Sequence, residues 1–386
     1  MRKSLAIITP SIGVRSETFI RRHMESLLPG NTVTLASTNR PPNAGYWNTN
    51  NPTCLLDNFP PNPLELIRSS MGKVSGKRVC NKFILHRNYI IKSFLKKHRV
   101  NVLMGEYLDY THAFIAPAKE LGIPLWGHAH GYDISQKISE KYWQQRYLEY
   151  NQTEGIIAVN EITRRRLIKL GIKPEKIHII PCGVNIPEHC PQHKNYKDNV
   201  RCLAVGRMVR KKAPIQLLSA FKYALRDNPK MHLDYIGTGH LIDEVKDFIN
   251  HYQLSGHVTL HGGMPNAQVH EFMMASDIFI QHSVVDPITG DEEGLPVAIL
   301  EAMAHGLPVI STRHAGIPDA VVHNQTGFLV DEGDVYGMGC CILDLVNDID
   351  KRLGMGVESW QRAKNFFSWQ YERREILKLF SLHDIS

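Results

Sequence analysis

The chain has 386 residues, 43% of them hydrophobic, with 45 Lys+Arg against 38 Asp+Glu and a net charge of +7. That length exceeds one ordinary core and suits two domains, and the composition argues against collagen, repeat-array and disordered classes. No apolar run approaches the ~20 residues that span a bilayer. The seven cysteines are odd in number and include no CxxC pair, which argues against a disulfide framework and a structural zinc site. A reducing, cytoplasmic compartment fits that usage.

The opening MRKSLAIITP reads as a first buried strand over 5–9. Its apolar stretch is too short for a signal peptide, and no small-residue cleavage site follows. After a Pro-Ser-Ile-Gly turn, 17–28 has helical spacing, with Phe19, Ile20, Met24, Leu27 and Leu28 on one side and Ser16 placed to cap it. A strand over 32–36 precedes a Pro- and Asn-rich stretch, 39–63, which predicts a long loop. Residues 64–100 are helical and basic, with ten Lys+Arg and one acidic residue from Glu65 to Arg99. Strands over 102–104, 124–128, 155–159 and 177–181 then alternate with helices over 111–121 and 162–170, the second stopped by Gly171.

The polar, Pro-containing segment 184–199 reads as a linker. A second alternating series follows, with strands over 201–205, 232–236, 258–261, 278–281 and 308–311. Its helices fall over 215–225, 241–252, 269–275, 296–305 and most of 335–365, and a terminal amphipathic helix covers 366–380. The predicted organisation is α/β throughout: a domain at 1–185, a second at 186–365, and a terminal helix at 366–386 crossing back to the first. Ligands of such parallel sheets bind beyond the carboxyl ends of the strands, so the loops there are the candidates. Charge divides unevenly: residues 1–185 hold 26 Lys+Arg and 13 Asp+Glu, a balance of +13 against −6 for the remainder. The halves therefore face different surroundings.

Four loops carry chemistry. Glu293 and Glu301 stand eight positions apart around a predicted helix start, with Gly294, Leu295 and Pro296 at its first turn. A helix start suits an anionic phosphate, and the two carboxylates can accept from sugar and ribose hydroxyls. The same run also reads as an ordinary capped helix. The basic loop 205–212 follows a strand and offers Arg207 as a planar fork and Lys212 as a mobile charge, or it is a solvated face. His128-Ala-His130-Gly-Tyr-Asp133 ends another strand, and an N-capping Asp in a structural turn is its plain alternative. Gly13, after the first strand, can admit a close backbone approach. Gly237, Gly239 and His261 end two further strands.

The run EGLPVAILEAMAHGLPVI, followed by GIPDAVVHNQTGFLV, resembles the donor-site signature of glycosyltransferase family 4. The resemblance implies the GT-B fold, two Rossmann-like doubly wound domains facing across a cleft, and a retaining sugar transfer from a nucleotide-diphosphate sugar. By the matching motifs, Arg207 and Lys212 meet the donor diphosphate without a metal. Glu293, Gly294, Leu295, Pro296 and Glu301 hold sugar and ribose, and Gly13, Gly237, Gly239 and His261 complete the donor site. His130 and Glu293 are the implied catalytic residues, with Arg15, Glu17 and Asp133 on the acceptor side. The SETF run resembles the subgroup that builds surface polysaccharides. Gly105-Glu106-Tyr107 departs from a His-rich segment common in relatives, which leaves the acceptor side open.

The implied function moves a hexose-type sugar from a UDP- or GDP-sugar to a hydroxyl of a glycan or lipid-linked saccharide. No cofactor or metal is expected, and no nucleic acid. The chain is expected in the cytoplasm, peripheral on the inner face of the plasma membrane if the basic region 65–99 binds anionic lipid. A nucleotide-sugar 2-epimerase on the same fold would convert donor without acceptor. A non-catalytic nucleotide-sugar-binding protein would bind without turnover.

Overall fold

The computed structural model describes residues 3–14, 16–37, 47–56, 73–191 and 199–382, with side chains from Lys82 onward in the helix that begins at Lys73. The chain forms two compact units. One comprises the residues up to Val159, Thr163–Ile180 and the stretch from Arg373 on; the other comprises Asn160–Ile162 and Pro181–Glu372.

The first unit is built on a seven-stranded sheet in the order β3-β2-β1-β4-β5-β6-β7. Its strands are β1 (Leu5–Thr9), β2 (Thr32–Ala36), β3 (Thr53–Leu55), β4 (Val102–Glu106), β5 (Leu125–Ala129), β6 (Gly155–Ala158) and β7 (Ile177–Ile179). All pairings are parallel. Five of the strands are buried at every position, as sheets covered by helices on both faces require. Register sets Glu106 of β4 beside His128 of β5.

The second unit holds a six-stranded parallel sheet in the order β10-β9-β8-β11-β12-β13. Its strands are β8 (Val200–Val205), β9 (Met231–Ile236), β10 (Val258–Gly262), β11 (Ile278–Ile280), β12 (Val309–Thr312) and β13 (Gly327–Val330). In each sheet the strand order reverses once, at β1/β4 and at β8/β11. The crevice beyond the strand ends at such a switch point is where open α/β sheets bind ligands.

Several sequence expectations change. The stretch expected as loop contributes β3, a three-residue edge strand too short to show periodicity; the remainder of 39–63 lies largely outside the described residues. The helix over 17–28 is α-helical only over Thr18–Arg22 and continues as a π-helical turn, His23–Leu27. Ser16 is exposed and does not cap it; Glu17 stands at the N-cap without a capping side-chain bond. The stretch 335–365 is two helices, Val335–Asn347 and Ile349–Phe366, because Asp348 leaves helical geometry and its side chain accepts from Lys351 N–H to start the second. The terminal helix begins only at Trp369. Phe367 O accepts from Val184 N–H at 2.8 Å and Val184 O from Trp369 N–H at 2.8 Å, which holds this segment extended. Beyond Arg373, whose Nε donates to the Ser26 and Leu27 carbonyls at 3.2 Å, the chain packs in the first unit, with the Phe380 ring 5.8 Å from that of Trp126.

Candidate active site

In the second unit the switch point lies between the loops after β8 and β11. The first loop turns at once: Gly206 ends the strand, Arg207 is exposed, and Arg210–Lys212 form a 3-10 turn closed by Ala213 at φ +40°. The turn directs Lys211 and Lys212 toward the other loop. Lys212 Nζ lies 3.2 Å from Glu293 Oε2, and Lys211 Nζ lies 2.9 Å from Asp291 Oδ2 and 3.8 Å from Glu293 Oε1. Lys211 Nζ also donates to the Glu292 carbonyl at 3.0 Å, and its own carbonyl accepts from Val284 N–H. Burial alone would raise the Glu293 carboxyl, but Lys212 and Lys211 outweigh it and hold its pKa at about 2. Burial lowers the Lys212 ammonium, and Glu293 opposes that. The result is a partly shielded cluster of paired charges, with Glu293 held ionised.

Of the residues expected around it, Gly294, Leu295 and Pro296 precede the helix and do not form its first turn. The helix is Val297–Ala304, and Pro296, with ψ 112°, is its extended N-cap residue. Proline suits either position, so composition could not separate them. Leu295 is buried. Glu301 lies within the helix, buried, accepting from Asn266 Nδ2 at 3.1 Å; Asn266 in turn meets His270 Nε2 at 3.0 Å.

Gly237 and Gly239 have a different neighbour from the one expected. A Cβ at Gly237 would stand 1.9 Å from Gly206 O, and one at Gly239 2.2 Å from Met208 O. Their bareness admits the neighbouring loop, so the turns after β8 and β9 pack backbone against backbone. His261 ends in a strand-to-strand tie: its Nε2 is 2.7 Å from Asp234 Oδ1, while Arg201 Nη2 donates to Asp234 Oδ2 at 2.8 Å.

In the first unit, Gly13 follows β1 at φ +89°, a conformation that favours glycine. Arg15 lies outside the described residues. Glu17 Oε1 accepts from Tyr107 Oη–H at 3.0 Å, and Tyr107 itself sits at φ +65°. Asp133, expected on the acceptor side, is held by backbone donors. It is fully buried, its Oδ1 accepting from His130 N–H at 2.7 Å and its Oδ2 from Leu108 N–H at 2.8 Å. Two backbone donors fix it as a turn-forming cap, the plainer of its two sequence readings.

His130 has an unforeseen centre. Its Nε2 lies 2.8 Å from Glu106 Oε2, which His128 Nδ1 meets at 3.0 Å, while His23 Nδ1 is 2.7 Å from Glu106 Oε1. Glu106, His23 and His128 are completely buried. Burial would raise the Glu106 carboxyl, yet the charges of His128 and His23 and the hydrogen bonds from His128 and His130 drive it well below its ordinary range. Burial, then His128, lowers His130 to about 4, so its ring is neutral at pH 7. The ligand atoms of His23, Glu106 and His128 lie within 4.8 Å of one another. A zinc ion with bonds near 2 Å spreads its ligand atoms to ~3.3 Å; the Glu106 contacts of 2.7 to 3.0 Å are hydrogen-bond distances.

Lys211, Asp291, His23 and Tyr107 thus join the candidate set, and Glu106 moves from a mere departure to a centre. The basic run and the acidic DEEG run were visible signals for Lys211 and Asp291. Nothing local announced His23, which stands 83 residues from Glu106.

The chain matches the family model "Glycosyl transferases group 1" over residues 185–356 and "Glycosyltransferase Family 4" over 58–187. It is 31% identical over 223 residues to the amylovoran biosynthesis glycosyltransferase AmsK of Erwinia amylovora, covering 56% of this chain and 53% of that one. It is 27% identical over 270 residues to the putative colanic acid biosynthesis glycosyltransferase WcaL of Escherichia coli K12, covering 68% of this chain and 66% of that one. The matched region therefore spans between half and two thirds of these relatives. In fold it is similar to Anabaena HepE, crystallised with UDP and glucose, with a TM-score of 0.75 at 15% identity over 98% of this chain and 100% of HepE. Two adjoining family matches, two parallel doubly wound sheets and this structural likeness lead to one assignment: the chain belongs to the GT-B-fold glycosyltransferases and is related to the bacterial enzymes of surface-polysaccharide synthesis.

Proposed function

We propose that the protein is a retaining glycosyltransferase that moves a hexose-type sugar from a UDP- or GDP-sugar to a hydroxyl of a glycan or lipid-linked saccharide. The observation that carries this reading is the largely buried Lys211, Lys212, Glu293 cluster, with the half-buried Asp291 at its edge, at the β8/β11 switch point. Lys212, with Arg207 beside it in the same loop, neutralises the donor diphosphate as negative charge develops on the leaving group, the role a metal fills elsewhere. Glu293, held ionised at a pKa of about 2, can only accept, so it binds donor-sugar hydroxyls and does not serve as an acid. Glu301 accepts from ribose hydroxyls, sharing its carboxylate with Asn266. The leaving phosphate oxygen takes the acceptor proton, so no dedicated base is required. In the first unit, neutral His130, anchored on Glu106, serves sugar and acceptor recognition.

Thermal-shift screening against a panel of UDP- and GDP-sugars fixes the donor. Lys212→Ala is expected to stay folded and to lose transfer by at least about a hundredfold, the scale of removing one transition-state charge donor. Near-normal turnover in that variant would sink the diphosphate assignment. Conversion of donor with no acceptor present would instead identify an epimerase.

The membrane reading rests on the helix Lys73–Lys97. Along it Phe83, Leu85 and Tyr89 are exposed together with Lys82, Lys96 and Lys97. Exposed apolar residues among lysines suit an anionic lipid surface, where each cation contributes about 1 kcal/mol. Among the described residues, no helix is long and apolar enough to cross a membrane. We place the acceptor at such a surface, with the protein peripheral to it.

A further inference from the structure

Glu293 lies in neither a helix nor a strand. The segment from Gln281 to Pro296 has no regular structure, so the direction of its carboxylate must be set by contacts from elsewhere. Lys211 and Lys212 meet the carboxylate itself, and the backbone that carries it is held by the two turns that follow β12 and β13. Glu293 N–H donates to His314 Nε2 at 3.2 Å, and His314 Nδ1 lies 2.7 Å from Glu332 Oε1. Glu332 Oε2 accepts from Val285 N–H at 3.0 Å. One carboxylate thus holds the start of the loop directly and its end through an imidazole. The next residue is clamped too: Gly294 O accepts from Gly316 N–H at 3.0 Å and from Asn160 Nδ2 at 2.9 Å. A Cβ on Gly316 would stand 2.5 Å from both of those partners, and Ala315 is bent to φ +44° to deliver the turn. The turn carrying Glu332 is itself tied down, since Gly333 N–H donates to His282 Nε2 at 3.0 Å.

The chemistry of His314 admits one arrangement. A backbone N–H can pair only with a ring nitrogen that bears a lone pair, so Nε2 is unprotonated and the proton resides on Nδ1, facing Glu332. His314 is almost wholly buried, which keeps water from offering an alternative partner.

We infer that His314 and Glu332 are positioning residues for donor-sugar recognition: Glu332 selects the Nδ1–H tautomer of His314, and that ring fixes the backbone of Glu293 so that its carboxylate is set before the donor arrives. The inference rests on the reading of Glu293 as the sugar-binding carboxylate. It makes His314 and Glu332 weigh more on the sugar than on the nucleotide, because they hold Glu293 itself, whereas the lysine turn after β8 keeps its own ties to Asp291, the Glu292 carbonyl and Val284 N–H.

The test compares binding of UDP and GDP with binding of UDP-glucose, UDP-galactose and GDP-mannose, for the wild type, His314→Leu, Glu332→Ala and Glu332→Gln. The wild type is expected to bind one sugar nucleotide more tightly than its bare nucleotide. His314→Leu and Glu332→Ala should keep nucleotide affinity within about twofold and lose roughly tenfold in affinity for the sugar form, the scale of one misplaced charged hydrogen-bonding group. Glu332→Gln keeps an acceptor for the Nδ1 proton and should recover part of that loss. A 15N-histidine NMR spectrum adds a readout free of any donor: His314 should show the Nδ1–H signature in the wild type and lose it in Glu332→Ala. Full sugar discrimination in both His314→Leu and Glu332→Ala, or an Nε2–H signature in the wild type, overturns the inference. If no sugar nucleotide binds the wild type while the Nδ1–H signature is present, the donor reading of Glu293 is what fails, and with it the assignment of these residues to sugar recognition.

Discussion

Glu106 and His130 illustrate how far a side chain's surroundings reset its chemistry. A carboxylate without water costs several kcal/mol unless it is paired and hydrogen-bonded, and Glu106 meets that demand with three imidazoles. The same burial keeps His130 at about 4, and His282 at about 4 in the second unit. The sign of the pH dependence follows. Both folded values lie below the ordinary 6.5, so between these limits the unfolded chain binds protons that the folded chain does not. Stability is therefore full above about pH 6.5 and falls as the pH drops toward 4; the depressed Glu106 carboxyl adds a further loss below its unfolded value near 4.5. Thermal melts of the wild type should decline through this window, and a His130→Gln, His282→Gln double variant should decline less steeply. Parallel profiles would refute the assignment of the loss to these two rings. The sequence offered His130 by motif but not its dependence on Glu106, since the pairing arises from strand register and from a helix far away in the chain.

At the level of elements, loops carry the site and backbone geometry decides which residues they tolerate. Gly237, at φ +149° and facing Gly206 O, has no room for a side chain. Gly237→Ala should cost more than about 3 kcal/mol in urea unfolding, by strain and overpacking together. Ala315, at φ +44°, is the opposite case. Relief of its left-handed strain is worth about 1 to 2 kcal/mol and the added freedom of a glycine in the unfolded chain returns roughly half of that. Ala315→Gly should leave the protein as stable as the wild type or better by about 0.5 kcal/mol. A clear destabilisation there would show that the turn is not strained. Most strands were legible because buried parallel strands read as continuous apolar runs. The starts and stops of helices were less so: Pro296 and Asp348 are each compatible with two positions at a helix end, and tertiary packing made the choice.

Over the whole molecule, the charge asymmetry falls on the two units. The basic excess lies in residues that build the first sheet and its helices, whereas the second unit carries the acidic balance and the lysine cluster in its switch-point loop. If the first unit rests on an anionic surface through the Lys73–Lys97 helix, the protein should sediment with vesicles containing phosphatidylglycerol and not with neutral ones. Raising the salt from 0.1 to 0.5 M should release it, because screening shortens the reach of each charge. Leu85→Glu with Tyr89→Glu should weaken that binding and leave transfer to a soluble acceptor intact. Equal sedimentation with neutral vesicles would remove the electrostatic argument.

The amino-acid sequence by itself determined the α/β class, the two successive parallel-sheet units and the motifs around Glu293, Arg207, Lys212 and His130, because hydrophobic periodicity and glycine-bearing turns are local properties. Tertiary structure alone decided the rest. It placed Lys211 and Asp291 within reach of each other, gathered His23, His128 and His130 around Glu106, and set His314 and Glu332 behind Glu293. It also turned Asp133 inward as a cap and gave Gly237 and Gly239 to loop packing. Those outcomes depend on strand order and register, which bring His23 to Glu106 across 83 positions, and no local pattern encodes such a meeting.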